Sequence, residues 1–329
     1  MPSSLHTHSY MSLLDGFSSP EENLKRASEL GLKAIAITEH GEATSWPYYS
    51  ELKDKYPDVK LLYGIEAYEC EDREVKDKNS KYWHLIIIAK NEAGRQAVNR
   101  LSTLGHLHGF YSRPRITKED IAKEDTNNLI ILSACLASRL SRTDDYDTCV
   151  KLVQEYKSLF PHYYLEVQAH ANSEQAKYNQ KIMRLANDTY TKVVVTNDVH
   201  AATKEDLYYQ DYFLRIAHDT ETAAEIYEGC YFMSRKEQHE VLDGQIGYDA
   251  AEWCINNTDE VADLCDYVDM PWHEPELPKI KIPPQYSNSA AYLKDLVKEG
   301  WGKRCIDKFD SEKQKIYRKR VDDELFVIE

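Results

Sequence analysis

The chain has 329 residues, 42% of them hydrophobic and 29% charged, with a formal net charge of −15. That length allows one large domain, or one domain and a fragment of another. The composition excludes an apolar run of about 18 residues to span a membrane, a signal peptide at the start, and a broad basic surface that would hold DNA. Nucleic acid stays open as a substrate at a metal-filled pocket, because bound cations reverse the local sign. The seven cysteines are odd in number and scattered, with no CxxC pair. In a chain this long they read as reduced thiols of a cytoplasmic protein.

His6-Thr7-His8 ends a short apolar lead, and alternate strand residues share a face, so both imidazoles can reach one ion. Asp15-Gly16 follows. Ser19-Pro20-Glu21-Glu22 predicts a helix start, and Gly31 its stop. Leu32 to Thr38 is expected as a buried strand that closes in Thr38-Glu39-His40. Lys60 to Glu66, Trp83 to Ala89, Leu129 to Ser133, Tyr163 to Gln168 and Val193 to Thr196 are further expected strands. Helical stretches lie between them at Asn91 to Leu104, Asp147 to Leu159, Glu174 to Ala186 and Lys204 to Ile216. Such alternation implies a parallel sheet with crossover helices. Six or seven units within about 220 residues favour a closed barrel, with an open sheet as the alternative.

Composition shifts at Met270. Pro271, Pro275, Pro278, Pro283 and Pro284 are five of the chain's eleven prolines and mark an extended linker. Helical segments are expected at Ser289 to Trp301 and Ser311 to Ile328. Tyr317, Val321, Leu325 and Ile328 form an apolar stripe on the second. It reaches Glu329 in mid-helix without a glycine stop, so a longer parent or a separate partner chain is expected. The division is then residues 1–269 as one domain and 270–329 as linker and extension.

Metal-ligand residue types fall where candidate strands end: His40, Glu66, Cys135, and Asp198 with His200. His84 opens the run WHLIIIA. In a parallel barrel, the C-terminal strand ends converge on one mouth. Taken singly, each has an ordinary reading: Cys135 as a small core residue, Glu66 as a surface acid, His84 as a core histidine. His106-Leu107-His108 lies near a helix end with no acid beside it and is not expected to bind metal. The tyrosine pairs, such as Tyr48–Tyr49 and Tyr208–Tyr209, read as half-buried packing before base stacking.

LHTHSYMSLLDG, AITEHG, YGIEAYE, the histidine of YWHLIIIAKN, ILSACLAS and VTNDVH together resemble the successive motifs of the polymerase-and-histidinol-phosphatase (PHP) domain. GFYSRPRI, YYLEVQAHANSEQ, NDVHAATKEDLYYQD and the tail YRKRVDDELFVIE further resemble bacterial DNA polymerase III alpha subunits, along essentially the whole chain. The resemblance implies a distorted TIM-like (βα)7 barrel, with a C-terminal linker and the start of a polymerase palm-like region. It implies nine metal ligands: His6, His8, Asp15, His40, Glu66, His84, Cys135, Asp198 and His200. His6, His8, Glu66 and Asp198 would hold one ion, Glu66, His84 and Cys135 a second, and Asp15, His40 and His200 a third.

Two to three divalent ions (zinc, manganese or iron) are implied, as is hydrolysis at a DNA 3′ end, a proofreading 3′–5′ exonuclease. Three such ions bring +6 against −4 from Asp15, Glu66, Asp198 and the Cys135 thiolate, which leaves +2 to attract phosphate. The polymerase catalytic region is absent, so polymerisation by this chain alone is not expected, and the missing domains would be supplied in cis or by another chain. A phosphomonoesterase of the histidinol-phosphatase type and a non-catalytic scaffold are the rival readings. Arg113 and Arg115 are candidates for surface salt bridges or for phosphate contact. The basic residues Lys303, Arg304, Lys313, Lys315, Arg318, Lys319 and Arg320 are candidates for DNA contact, for docking to a palm, or for a solvated helix face.

Overall fold

Short runs rich in β-branched and aromatic residues form strands because those side chains suit a pleated surface buried on both faces. The computed structural model describes residues 3–77, 80–219, 227–270, 278–304 and 306–328. Its strands are β1 (Ala34–Ile37), β2 (Lys60–Glu69), β3 (Trp83–Ala89), β4 (Phe110–Tyr111), β5 (Arg113–Ile116), β6 (Leu129–Leu132), β7 (Tyr163–Gln168) and β8 (Val193–Thr196). The helices through Met270 are α1 (Pro20–Glu29), α2 (Trp46–Leu52), α3 (Glu92–Leu107), α4 (Lys118–Ala122), α5 (Tyr146–Leu159), α6 (Ser173–Thr189), α7 (Asp206–His218), α8 (Arg235–Ile246) and α9 (Tyr248–Leu264). Beyond it lie α10 (Ser289–Lys303) and α11 (Ser311–Ile328).

The main path of the sheet is β1-β2-β3-β6-β7-β8, with the β4–β5 hairpin joined to the end of β2. The N-terminal residues close the curl. The Ser4 N–H donates to the Ala34 carbonyl (2.9 Å) and the Thr38 N–H to that of Thr7 (2.9 Å). On the other side the Val199 N–H donates to His6 O (3.0 Å) and the His8 N–H to Val199 O (2.7 Å). Lower in the ring, α9 fills the gap beside β8, where Thr258 Oγ1 accepts the Val195 N–H at 2.8 Å. Asn257 Nδ2 donates to Val193 O there, also at 2.8 Å. The fold is thus the expected distorted α/β barrel, with six strands and the N-terminal segment as its seven members and α9 as a wedge.

One element departs from the parallel expectation. β3 runs antiparallel to both β2 and β6. A parallel return needs a crossover of a dozen or more residues, usually a helix. The described residues between β2 and β3 are charge-rich and form neither helix nor strand. The chain therefore turns straight back, and β3 begins at the mouth where its neighbours end. His84 at its start consequently joins side chains from the far ends of the other strands.

Period-two alternation divides each strand between two buried layers. Ile35, Ile37, Tyr63, Ile65, Ile87, Ile131, Leu165, Val193 and Val195 face the helices. Leu5, Ala34, Ala36, Leu62, Ile86, Ile88, Ile130, Leu132, Tyr164 and Val194 fill the interior with Val261 and Ala262 of α9 and Cys265 just past its end. Glu66, His84, Glu166 and Asp198 continue the parity of this inner set, as does His40 beyond β1. The ring is apolar below and polar at its mouth.

Backbone contacts divide the chain into two units, Met1–Met270 and Pro271–Glu329. In the second, Pro278, Pro283 and Pro284 lie outside helices and strands, whereas Pro271 and Pro275 fall outside the described residues. Neither α10 nor α11 buries a residue. Three basic side chains of α11 pair along their own helix, Lys315 with Glu312, Lys319 with Asp323 and Arg320 with Glu324, whereas Lys313 and Arg318 lie over the Phe309 and Trp301 rings. No described helix is long and apolar enough to cross a membrane.

Candidate metal centre

Glu66 stands at the middle of the mouth, 1% exposed, and its two oxygens serve five side chains. Oε1 lies 3.3 Å from His6 Nε2, 2.8 Å from His84 Nδ1 and 3.7 Å from Cys135 Sγ. Oε2 lies 2.7 Å from His40 Nδ1 and 3.5 Å from His8 Nε2. Asp198 Oδ1 is 3.0 Å from His6 Nε2, 3.4 Å from His8 Nε2 and 3.5 Å from His200 Nδ1. Asp15 Oδ2 joins His40 Nε2 at 2.6 Å to His200 Nε2 at 3.2 Å. Cys135 Sγ is also 3.5 Å from His84 Nδ1. All nine residues singled out from the sequence thus lie in one cluster. Within it, His6, His8 and Asp198, then His40, Glu66 and His84, and also His8, His40 and His200, each present ligand atoms within 4.8 Å of one another. His40 reaches both Glu66 and Asp15, so it borders two of the three expected groups.

Backbone geometry at the mouth is unusual. Six described non-glycine residues have positive φ; Asp198 is one, and Leu14 and Ala134 immediately precede Asp15 and Cys135. Left-handed backbone costs energy in such residues and collects at functional sites. Gly16 is required by close approach, since a Cβ there would lie 2.1 Å from the Ser9 carbonyl oxygen.

The donor set fits divalent cations. His6 Nε2, His8 Nε2, His40 Nδ1, Glu66 Oε2 and Asp198 Oδ1 are buried and make no well-formed hydrogen bond, meeting one another only as close imidazole–carboxylate pairs. Native structures leave few such atoms, and here five face one another. Burial, reinforced by His40 and His200 beside it, pushes His8 down to about 3. For His40 burial acts the same way, but Glu66 and Asp15 outweigh it and raise its pKa to about 10. Burial, then Glu66 and Asp198, pushes the Cys135 thiol well above its ordinary value. A cation in contact would reverse that and hold a thiolate.

Two acids beneath the cluster were not singled out from the sequence. Glu39 is fully buried and accepts from the Ser9 hydroxyl and from Ser12 Oγ, both at 2.5 Å. Ser12 Oγ in turn lies 3.1 Å from His8 Nδ1. Glu166 is fully buried and holds His6 Nδ1 at 2.9 Å. The signal available was an acid at an inner-face position of an otherwise apolar strand, YYLEVQ.

Other candidates separate cleanly. Arg115 is 1% exposed and donates to the carbonyls of Gly109, Arg73 and Val75, so it makes neither a phosphate contact nor a surface salt bridge. Arg113 lines the cleft of about 510 Å³ above the cluster, 5.6 Å from the centre of the Tyr68 ring. His106 bonds the Ser102 carbonyl at 2.9 Å on the cleft rim and takes no part in the cluster. Tyr49, Tyr163 and Tyr164 are buried, whereas Tyr208 and Tyr209 are exposed. The six cysteines described are all free.

The sequence matches the PHP domain over residues 4–170, a span that holds seven of the nine clustered residues. It is 29% identical over 310 residues to the DNA polymerase III subunit alpha of Borreliella burgdorferi, covering 90% of this chain and 26% of that one. With the same subunit of Thermus aquaticus it is 31% identical over 326 residues, covering 92% and 26%. This chain therefore spans about a quarter of the length of these relatives. Among solved structures, an amidohydrolase from Chromobacterium violaceum is 13% identical and covers 61% of this chain and 88% of its own, with a TM-score of 0.43. The match over residues 4–170 makes the chain a member of the PHP domain family.

Proposed function

We propose that the cluster is a centre for two to three divalent metal ions that hydrolyses phosphodiester bonds at DNA 3′ ends, within a chain that forms part of a longer replicative polymerase. The observation that carries this reading is the set of five buried nitrogen and oxygen atoms that face one another at the barrel mouth without well-formed hydrogen bonds. His6, His8, Glu66 and Asp198 would hold one ion, Glu66, His84 and Cys135 a second, and Asp15, His40 and His200 a third. Imidazole, carboxylate and one thiolate suit zinc, and the nitrogen–oxygen groups also suit manganese or iron. When bound, such ions supply a water acidified to a pKa of about 7 and a positive field for phosphate.

The protein's own part is to fix those ligands, to exclude bulk water from below with the apolar barrel interior, and to admit substrate from above. Arg113, over Tyr68 at the cleft wall, would meet a phosphate oxygen. The cleft of about 510 Å³ suits the end of a strand. Similarity to replicative polymerase subunits favours DNA over a small phosphomonoester, and the spread of that similarity beyond residue 270 supports reading residues 270–329 as a linker and the start of a palm-like region.

The test follows 3′-labelled DNA with manganese or zinc. The label should shorten, stop with chelator, and be untouched by Asp15→Ala, while primers are not extended. Turnover of histidinol phosphate with no action on DNA would favour the phosphatase reading. Bound metal with no turnover of either would favour a scaffold.

A further inference from the structure

A histidine offers two ring nitrogens, and the one that faces a metal is set by the hydrogen bond of the other. Glu166 lies on β7 with its side chain on the inner face, fully buried directly below His6. Its Oε1 takes three contacts: His6 Nδ1 at 2.9 Å, Thr196 Oγ1 at 2.5 Å and Gln168 Nε2 at 3.1 Å. The Gln168 amide nitrogen can only donate, so Oε1 acts as an acceptor. The strand is itself fixed at this residue, since the Glu166 N–H donates to Ser133 Oγ at 2.9 Å. On the other side of the ring, His6 Nε2 is buried and makes no well-formed hydrogen bond, although it lies 3.0 Å from Asp198 Oδ1 and 3.3 Å from Glu66 Oε1.

We propose that Glu166 is a positioning residue that locks His6 in the Nδ1–H tautomer and so presents the Nε2 lone pair to the metal centre. This rests on the reading of the cluster as a metal site. Thr196 and Gln168 hold the carboxylate, so the imidazole does not have to order it. The ring is thereby aimed before any ion arrives. Removing the acceptor frees the ring to adopt the other tautomer, in which Nε2 carries a proton and cannot ligate. Loss of such a partner typically weakens metal binding by about 10–100-fold.

The test uses the full 329-residue chain, as wild type, Glu166→Ala and Glu166→Gln. Long-range proton–nitrogen NMR on the metal-free wild type, recorded at a pH high enough to leave His6 neutral, should show its proton on Nδ1. Zinc affinity is then measured by competition with a chelator. Glu166→Ala should lose the tautomer preference and bind one zinc about 10–100-fold more weakly. Glu166→Gln, which keeps an acceptor oxygen, should recover the tautomer and part of the affinity. A purely structural role would lower the melting temperature of both variants and leave the affinity of the folded protein unchanged. That result, or a wild-type His6 with its proton on Nε2, overturns the proposal, and the wild-type spectrum decides even if Glu166→Ala fails to fold. Absence of zinc uptake by the wild type would instead overturn the metal reading, while the tautomer spectra would still decide the role of Glu166.

Discussion

Stripping the metal should make this protein less stable as pH rises from 6.5 to 8, and restoring metal should remove or invert that slope. His40 is held at a pKa of about 10, against an ordinary 6.5, because Glu66 and Asp15 outweigh the burial that opposes its charge. His6 and His200 are also raised, against burial, by acids that include Asp198. A raised folded pKa means the folded state holds a proton that the unfolded chain releases. The stabilisation is complete below about pH 6.5 and is lost as pH climbs toward the folded value. Each pH step of one is worth about 1.4 kcal/mol per proton, so His40 alone amounts to on the order of 2 kcal/mol between pH 6.5 and 8. His8, pushed down to about 3 by burial and by its histidine neighbours, acts with the opposite sign and below pH 6.5. Bound ions compete with these protons, so metal-loaded protein gains affinity as pH rises. Urea denaturation at several pH values, with chelator and with zinc, measures both slopes. Asp15→Asn, which removes a partner of both His40 and His200, should flatten the metal-free slope. Equal slopes with and without metal would refute the assignment of the ions to this cluster.

Cys135→Ser should keep the fold and change the preference between zinc and manganese, because Sγ lies 3.5 Å from His84 Nδ1 beside Glu66. Unchanged metal content with only a shifted melting temperature would return Cys135 to the core. Arg115→Met should cost on the order of 3 kcal/mol in chemical denaturation, since it strips donors from three backbone carbonyls. Arg113→Ala should leave stability nearly unchanged and weaken cleavage of DNA, and a large stability loss there would show that Arg113 is structural.

Most strands were legible because their inner and outer faces are both buried, which leaves continuous apolar runs such as LIIL and VVVT. The mouth residues were legible because His, Asp, Glu and Cys interrupt those runs where they end. The direction of β3 was not legible, since WHLIIIA reads the same either way along the chain. What turns it antiparallel is the charged connection before it, whose described residues form no helix. The α8–α9 pair escaped notice although α9 completes the ring. Its inward residues Val261 and Ala262 are few, and Asn257 and Thr258 bond to β8 where an apolar stripe would be sought. Glu39 escaped because it lies just past the end of β1, and Glu166 because one acid within a strand reads equally as a surface residue until the parity of its neighbours is set. They also bear on charge: each one that is ionised lowers the +2 reckoned for three bound ions by one.

Elemental analysis of the purified chain, stripped and then reconstituted with zinc or manganese, tests the metal centre most directly. Between two and three equivalents should be retained after gel filtration, and His6→Ala and Glu66→Ala should each lower that number. Less than one equivalent of any divalent transition metal, on folded protein, would contradict it.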